Sequence, residues 1–334
     1  MEQKRENLIM NLEKIKNLKI LVIGDVMLDH YIIGKVSRIS PEAPVQVVNV
    51  SQDLYVPGGA GNVAFNIAGL GLKTFLIGQI GTDDAGERLK QLFQDKEINI
   101  IPLDHGSTVQ TIIKSRVTTE RQQICRIDRE LEAANYHLSP KAIDSIAECI
   151  GDYDAVIISD YSKGLVEDKL IQKLIGFDQG ILKKPLMAID PKPRRKLNIA
   201  NFDLMTPNLV EARELAGIHG TDTAEGLDAL CDIIYKKFKP KYLVITLGSD
   251  GMCLCQEGRV IGIIETEAQE VFDVSGAGDT VVATLTVALT LGYTFEESAR
   301  LANKAAGIVV SRMGTSHITL EEFLRISKTT KSYK

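Results

Sequence analysis

The chain has 334 residues, 39 basic and 44 acidic side chains, a formal net charge of −5 and 44% hydrophobic residues. A chain of this length buries about three quarters of its unfolded surface on folding, and this composition excludes a disordered or fibrous protein. The acidic balance argues against a nucleic-acid partner, whose phosphates must be neutralised, but it is compatible with a local basic pocket.

The five cysteines are dispersed, and no two of them form a CxxC pair. This pattern indicates free thiols in a reducing compartment and favours packing over metal binding. Residues 1–18 mix both charge signs and lack an apolar signal core, and the apolar stretch 281–292 is too short to span a bilayer. We therefore expect a cytoplasmic protein without a membrane partner.

Short apolar runs alternate with amphipathic segments along most of the chain. The runs are rich in β-branched residues, which is typical of parallel strands buried on both faces. They predict strands at 19–24, 73–78, 154–159, 185–190 and 242–248. The segments between them predict helices at 60–71, 84–96, 139–150, 166–175, 208–216 and 224–238. This alternation predicts an α/β fold with helices on both faces of a mostly parallel sheet, and with ligands at the carboxyl ends of the strands.

Two segments interrupt the alternation. Residues 30–50 and 108–128 have the pattern of β-ribbons, the second with a hairpin turn around 119–121. We predict that these insertions form a small sheet that projects as a lid or a dimer surface from a single domain spanning 1–334. A capping box at Thr294 then predicts a helix that ends near Ser311.

The glycine-rich segment 273–280, directly before an apolar helix predicted at 281–291, carries the strongest chemical signal. Gly276 and Gly278 allow successive N–H groups to converge, and the helix N-terminus adds positive charge, which suits an anion. Asp279 would then lie beside a phosphate, where it could deprotonate an attacking hydroxyl. On this motif alone, an aspartate that merely caps the helix is an equal alternative.

A second glycine cluster lies at 56–71 and leads into a helix. Gly58 and Gly59 allow close approach to a ligand, and Asn62 could bind a hydroxyl, although a simple tight loop is the favoured interpretation of this motif alone. The chain contains no GxxxxGK[ST] and no GxGxxG after a strand. This excludes a P-loop and removes the main support for a dinucleotide oxidoreductase.

Together, the two motifs resemble the signatures of the ribokinase-like (PfkB) carbohydrate kinases over roughly residues 18 to 325. The first signature is matched by Gly58-Gly59, Asn62, Ala64, Gly71 and Gly81, and the second by Asp273 and Gly276-Ala277-Gly278-Asp279. The resemblance implies a three-layer α/β/α fold with a small β-sheet lid. It also implies ATP and Mg²⁺ as cofactors, a sugar as substrate and a homodimer formed through the lid.

The resemblance also implies roles for individual residues. Asp279 would be the catalytic base, and the amides of Gly276, Ala277 and Gly278 would form an anion hole. Asn208 and Glu211, which also predict a capping box, match the motif that holds Mg²⁺ through water. The residues implied in nucleotide binding are Thr246, Gly248, Gly251, Asn303 and Lys192. Those implied in sugar binding are Asp29, Gly58, Gly59 and Asn62.

Three stretches, at 24–48, 121–130 and 190–194, are similar to one branch of the family. Its members transfer the γ-phosphoryl of MgATP to the 1-hydroxyl of D-glycero-β-D-manno-heptose 7-phosphate, in ADP-heptose and lipopolysaccharide precursor synthesis. Thr284, where most of the family has glycine, fits the same branch.

A substrate that already carries a phosphate needs a cationic pocket. The candidates for this pocket are Arg116 and Arg126, with Gln123 near the hairpin turn, while Lys192 could equally serve the nucleotide. The alternative is that these are solvated lid charges.

Other functions are compatible with the sequence. The same fold could phosphorylate ribose, fructose, fructose 6-phosphate or a nucleoside, or the chain could be a non-catalytic nucleotide-binding regulator. Nucleotidyl transfer is unsupported because the chain has no HxGH motif. Since the kinase fold uses nearly all of the chain, we expect a single activity, with adenylyl transfer supplied by a separate protein. The sequence leaves open whether a monovalent cation binds near 273–279.

Overall fold

The computed structural model describes residues 15–103, 109–119, 122–176, 184–194, 197–218, 226–267, 271–312 and 314–330. Within these ranges, the strands form one nine-stranded and one four-stranded sheet. In chain order the strands are β1 (Lys19–Gly24), β2 (Val26–Ile39), β3 (Gln46–Gly59), β4 (Lys73–Ile77), β5 (Asn99–Ile100), β6 (Ile112–Thr118), β7 (Gln123–Arg129), β8 (Ala155–Ser159), β9 (Leu186–Asp190), β10 (Leu204–Met205), β11 (Tyr242–Thr246), β12 (Met252–Gln256) and β13 (Arg259–Ile264). The main helices are α1 (Ala60–Gly69), α2 (Asp84–Asp95), α3 (Pro140–Cys149), α4 (Asp168–Ile175), α5 (Leu209–Ala216), α6 (Leu227–Phe238), α7 (Ala277–Thr290), α8 (Phe295–Val310) and α9 (Leu320–Thr330).

The large sheet is mostly parallel, as predicted. Its spatial order is β13-β12-β11-β10-β9-β8-β1-β4-β5. Strands pair in parallel from β11 to β5, and β12 and β13 add an antiparallel edge. Strand β8, in the interior of the sheet, is buried along its whole length, which explains its uninterrupted run of apolar residues.

Helices on both faces of this sheet complete three layers. Ile157 and Ile158 are consecutive in β8, point to opposite faces and are both fully buried. Helices α1, α2, α7, α8 and α9 pack on the Ile157 face, whereas α3, α4, α5 and α6 pack on the Ile158 face. Among the described residues, no helix is both long and apolar enough to cross a membrane.

The predicted elements between residues 19 and 248 match β1, β4, β8, β9, β11 and α1 to α6, with ends that differ by a few residues. Residues 224–225 of one predicted helix lie outside the described ranges. Strands β5 and β10 contain two residues each, too few for a sequence pattern to indicate them. Helix α7 begins at Ala277, earlier than predicted, because Gly276 caps it with a left-handed backbone at φ 82°.

The predicted small sheet is present and has the spatial order β3-β2-β6-β7. Its first two strands extend beyond the predicted range 30–50, since β2 follows β1 after a single residue and β3 leads directly into α1. β2 pairs in parallel with β6 and so joins the two insertions. Residue 108 and residues 120–121 of the predicted hairpin turn lie outside the described ranges.

The expectation of five free cysteines is wrong. Cys231 in α6 and Cys255 in β12 form a disulfide, and the free thiols are Cys125, Cys149 and Cys253. Cys253 and Cys255 face the same side of the sheet, as their spacing predicts, and both are buried. The packing of α6 against this face brings in Cys231, and the sequence spacing alone does not show that contact.

Candidate active site

Buried carboxylates collect at one edge of the central sheet. Asp25 follows β1, Asp160 follows β8 and Asp190 ends β9, so all three lie at the carboxyl ends of parallel strands. Asp279, in the first turn of α7, is buried as well. Because burying an ionised carboxyl is unfavourable, each of these groups needs hydrogen-bond donors or a neighbouring positive charge.

Asp279 accepts a hydrogen bond on each carboxylate oxygen. The Asn62 side-chain amide donates to Oδ2 at 2.8 Å, and the Tyr161 hydroxyl donates to Oδ1 at 2.8 Å. Burial raises the pKa of Asp279 to about 6, against the lowering effect of these two bonds and of the Lys192 charge. The group is therefore ionised at neutral pH yet more basic than an exposed aspartate, which suits a general base.

The turn before α7 requires glycine for two different reasons. At Gly276, φ is 82° and a Cβ would lie 2.6 Å from the Asn62 side-chain nitrogen, so a side chain does not fit. At Gly278, no heavy atom lies within 4 Å of a Cβ, so this face of the turn is open. The Ala277 N–H already donates to the Val274 carbonyl at 3.2 Å. Of the three amides predicted to form the anion hole, that of Ala277 is therefore engaged within the turn, whereas those of Gly276 and Gly278 stay candidates, together with the first-turn N–H of Asp279.

The sugar-binding candidates surround a second buried carboxylate. Asp29 in β2 forms an ion pair with Arg116 in β6 at 2.5 Å. A Cβ at Gly58 would lie 2.5 Å from Asp29 Oδ2, and a Cβ at Gly59 would lie 2.4 Å from the Asp25 carbonyl. Both glycines therefore allow close approach of the protein's own backbone and carboxylate.

A basic cavity of about 380 Å³ lies between the four-stranded sheet, here called the lid, and the carboxyl ends of strands in the large sheet. The cationic side chains that line it are Lys114, Arg126, Lys163, Lys192 and Arg194. Arg126 pairs with Asp128 at 2.9 Å and Lys163 pairs with Glu130 at 2.6 Å.

Lys114 and Arg194 have no carboxylate partner among the described residues, but Arg194 is exposed whereas Lys114 is partly buried. Burial lowers the pKa of Lys114 and outweighs the attraction of Asp29. A partly buried cation without a partner favours an anionic ligand.

Lys192 connects this cavity to the nucleotide candidates. Burial alone would lower the pKa of Lys192, but the charges of Asp190 and Glu211 outweigh it and raise that pKa. The Lys192 ammonium forms an ion pair with Glu211. Burial raises the pKa of Asp190 to about 7, although the Lys192 charge opposes this shift.

The predicted capping box at Asn208 and Glu211 is confirmed. The Glu211 N–H donates to the Asn208 side chain at 2.9 Å, and the Asn208 N–H donates to Glu211 Oε2 at 2.8 Å. Mg²⁺ prefers oxygen ligands and retains several of its waters. Since both Glu211 oxygens already have protein partners, this donor set fits an ion held through water.

The remaining nucleotide candidates lie around the end of β11. Thr246 ends that strand and forms a β-bridge with Asn208. Gly248 and Gly251 both have positive φ, and a Cβ at Gly251 would lie 2.0 Å from the Ile264 carbonyl. The Asn303 side chain in α8 donates to the Glu265 carbonyl at 2.7 Å, so it holds the chain after β13.

The structure brings two of the predicted site residues into direct contact and leaves a third, Gln123, exposed to solvent. Asn62 and Asp279, 217 positions apart, are in direct contact, whereas Gln123 is exposed at the start of β7, next to the lid hairpin. Sequence reasoning missed Tyr161 and Lys114. Tyr161 lies just after β8, where strand-end ligands are expected, and Lys114 shares a strand face with Arg116, so both signals were available.

Residues 17–322 match the pfkB family carbohydrate kinases, and the chain belongs to this family. It is 39% identical over 307 residues to the bifunctional protein HldE of Sulfurimonas denitrificans, covering 91% of this chain and 63% of that protein. It is 38% identical over 315 residues to the bifunctional protein HldE of Campylobacter curvus, covering 93% of this chain and 66% of that protein. The chain thus spans just under two thirds of the length of these curated relatives.

Solved structures confirm the ribokinase-like fold. Phosphofructokinase-2 from Escherichia coli, in complex with substrates and products, has a TM-score of 0.74 and 21% identity, covering 94% of this chain and 99% of that chain. Ribokinase from Thermotoga maritima has a TM-score of 0.69 and 20% identity, covering 93% and 99% of the two chains.

The buried Asp279 should make folding stability depend on pH. Its pKa rises from 3.8 to about 6 on folding, so its favourable contribution is present below pH 4 and is lost as the pH rises through 6. At pH 8, Asp279→Asn should therefore have a free energy of unfolding about 1–3 kcal/mol larger than that of the wild type, and hence a higher melting temperature, with the difference shrinking towards pH 4. Thermal unfolding monitored by circular dichroism measures this.

The exposed Asp232, paired with Lys236 on the surface of α6, offers a matched control. Asp232→Asn should show no such pH-dependent gain. An Asp279→Asn protein no more stable than the wild type at pH 8 would contradict the raised pKa.

Proposed function

We propose that the chain transfers the γ-phosphoryl of MgATP to the 1-hydroxyl of D-glycero-β-D-manno-heptose 7-phosphate and produces the 1,7-bisphosphate. The observation that carries this proposal is the buried Asp279, ionised and held by two donors at the N-terminus of α7. The family membership and the identity to HldE proteins over about nine tenths of the chain support it. We place the reaction in the cytoplasm, in the synthesis of ADP-heptose and lipopolysaccharide precursors.

The proposed chemistry begins with Asp279, which takes the proton of the sugar 1-hydroxyl as its oxygen attacks the γ-phosphorus. The bond from that phosphorus to the β,γ-bridging oxygen breaks, and ADP leaves. The first-turn N–H groups of α7 and the Lys192 ammonium offset the negative charge that develops on the phosphoryl oxygens. Mg²⁺, held through water near Asn208 and Glu211, would neutralise charge on the nucleotide phosphates. A monovalent cation near 273–279 stays an open prediction.

We assign the 7-phosphate of the sugar to the basic cavity. Lys114 is the cation with the greatest need for an anion, because it is partly buried and has no carboxylate partner among the described residues. Arg126 and Lys163 line the same cavity and could turn from their carboxylate partners towards a phosphate. Arg116 stays with Asp29, where the pair would face the sugar hydroxyls.

We also propose a homodimer formed through the lid. Large hydrophobic side chains are exposed along its segments, among them Ile39, Val45, Val50 and Ile127. Exposed apolar side chains grouped on one small sheet are typical of an association surface. Burying them in a dimer would also fix the lid over the site.

Asp279→Asn should lower kcat by about 10³-fold or more, because the hydroxyl loses its general base. Nucleotide affinity should change by less than about threefold, since the backbone amides are unchanged. A coupled assay of ADP release and calorimetric titration of nucleotide measure the two effects. Asp144→Asn, on the surface of α3, is the control, and near-normal turnover in Asp279→Asn would refute the base assignment.

Lys114→Met should raise the KM for the sugar phosphate by about 10–100-fold, because one charge-assisted contact to phosphate is lost. The KM for ATP should stay within about twofold of the wild type. Lys35→Met, which removes an exposed lysine from the same sheet, should leave both constants unchanged. An unchanged sugar-phosphate KM in Lys114→Met would exclude Lys114 from the phosphate site.

Replacing exposed apolar lid residues by charged ones should separate the dimer. The double variant Ile39→Asp, Val50→Asp should behave as a monomer in light scattering at micromolar concentration, because charges would be buried at the interface. Ile261→Asp, on the exposed edge of the large sheet, should stay dimeric. A wild-type protein that is already monomeric at this concentration would contradict the dimer.

A further inference from the structure

We propose that Tyr161 is a positioning residue for the catalytic base Asp279. Its hydroxyl orients the Asp279 carboxylate and limits how easily that carboxylate is protonated. This proposal rests on the proposed function, because it assigns to Asp279 the proton of the sugar hydroxyl. It extends that function with a residue outside the two glycine-rich motifs.

The geometry fixes the plane of the carboxylate. Tyr161 donates to Oδ1 and Asn62 donates to Oδ2, each at 2.8 Å. With one donor on each oxygen, the Asp279 side chain cannot rotate without losing a buried hydrogen bond. Each oxygen keeps a second lone pair, and one of these can accept the proton of the attacking hydroxyl.

The loop that carries Tyr161 is itself held by a buried carboxylate. Asp25 accepts the N–H groups of Tyr161, Lys163 and Leu165 at 2.9, 3.0 and 3.1 Å. The loop needs a positive φ at Ser162, 56°, and at Gly164, 127°. A backbone held at alternate residues in this way leaves the tyrosine hydroxyl little freedom to leave Asp279.

The tyrosine ring also lies next to two cations. The Lys114 and Lys192 ammonium groups lie 5.6 and 5.4 Å from the ring centroid. The ring therefore forms a wall of the basic cavity, while its hydroxyl reaches the base. A cation in direct contact would weaken the base, whereas a neutral hydroxyl orients it at a smaller loss of basicity.

The groups that face Asp279 from the surrounding elements determine in which direction its pKa should change when the Tyr161 hydroxyl is removed. They are the neutral Asn62 and Tyr161, the cation Lys192 and the carboxylates Asp29 and Asp190. Burial and the Asp279 charge raise the pKa of Tyr161 well above its ordinary value, so the hydroxyl stays protonated and donates throughout the turnover. Removing this donor leaves Asp279 with one hydrogen bond fewer, and its pKa should rise.

Tyr161→Phe should move the acid limb of the pH profile of kcat/KM upward by about 0.5–1 pH unit. It should also lower kcat by about 10-fold, while the KM for ATP stays unchanged. The matched control is Tyr153→Phe, since Tyr153 is a buried tyrosine that packs on Phe75 in the core. An acid limb at the wild-type pH in Tyr161→Phe, with or without a loss of kcat, would overturn the proposal.

A second measurement works without turnover. In thermal unfolding, Tyr161→Phe should lower the melting temperature more at pH 8 than at pH 5, because ionised Asp279 loses its donor. In an Asp279→Asn background this pH dependence should disappear. If Tyr161→Phe lowered the melting temperature equally at both pH values and in both backgrounds, Tyr161 would contribute only packing, and the proposal would be overturned. If wild-type protein released no ADP with any sugar while this coupling was present, only the proposed function would fail.

Discussion

An ionised carboxylate buried at the start of a helix is the constraint on which the rest of the site depends. Asp279 is 3% exposed and receives hydrogen bonds from two neutral groups instead of a salt bridge. A salt bridge would stabilise the charge more strongly, but it would also lower the pKa and weaken the base. The site therefore accepts some instability of the ionised form and retains a group basic enough to take a proton.

The fold meets this constraint by bringing distant segments to one edge of the sheet. Asn62 follows the lid strand β3, Tyr161 follows β8 and Asp279 begins α7, so three separate connections meet at one carboxylate. The nearby cations have other contacts, since Lys192 is paired with Glu211 and the Lys114 ammonium lies over the Tyr161 ring. This arrangement places positive charge where phosphates would bind and keeps it from direct contact with the base.

The sequence predicts the framework well because its signals are local. The buried strands are continuous β-branched runs, and the capping box at Asn208 needs only a spacing of three residues. The pairing of Arg116 with Asp29 depends on how β6 aligns beside β2, where Asp29 lies opposite Lys114. That alignment cannot be read from either strand alone, so the shared strand face indicates Lys114 and Arg116 together but does not show that Asp29 engages Arg116 and leaves Lys114 without a carboxylate partner among the described residues. The disulfide between Cys231 and Cys255 depends in the same way on helix packing across a sheet face.

The most direct test of this account measures ADP release by the wild-type chain with MgATP and different sugars. The set comprises D-glycero-β-D-manno-heptose 7-phosphate, the same heptose without phosphate, ribose, fructose and fructose 6-phosphate. We expect kcat/KM for heptose 7-phosphate to exceed every other value by about 100-fold or more, because only this sugar fills both the hydroxyl site and the basic cavity. Comparable or faster turnover of ribose, fructose or fructose 6-phosphate, or no ADP release above the sugar-free rate, would contradict it.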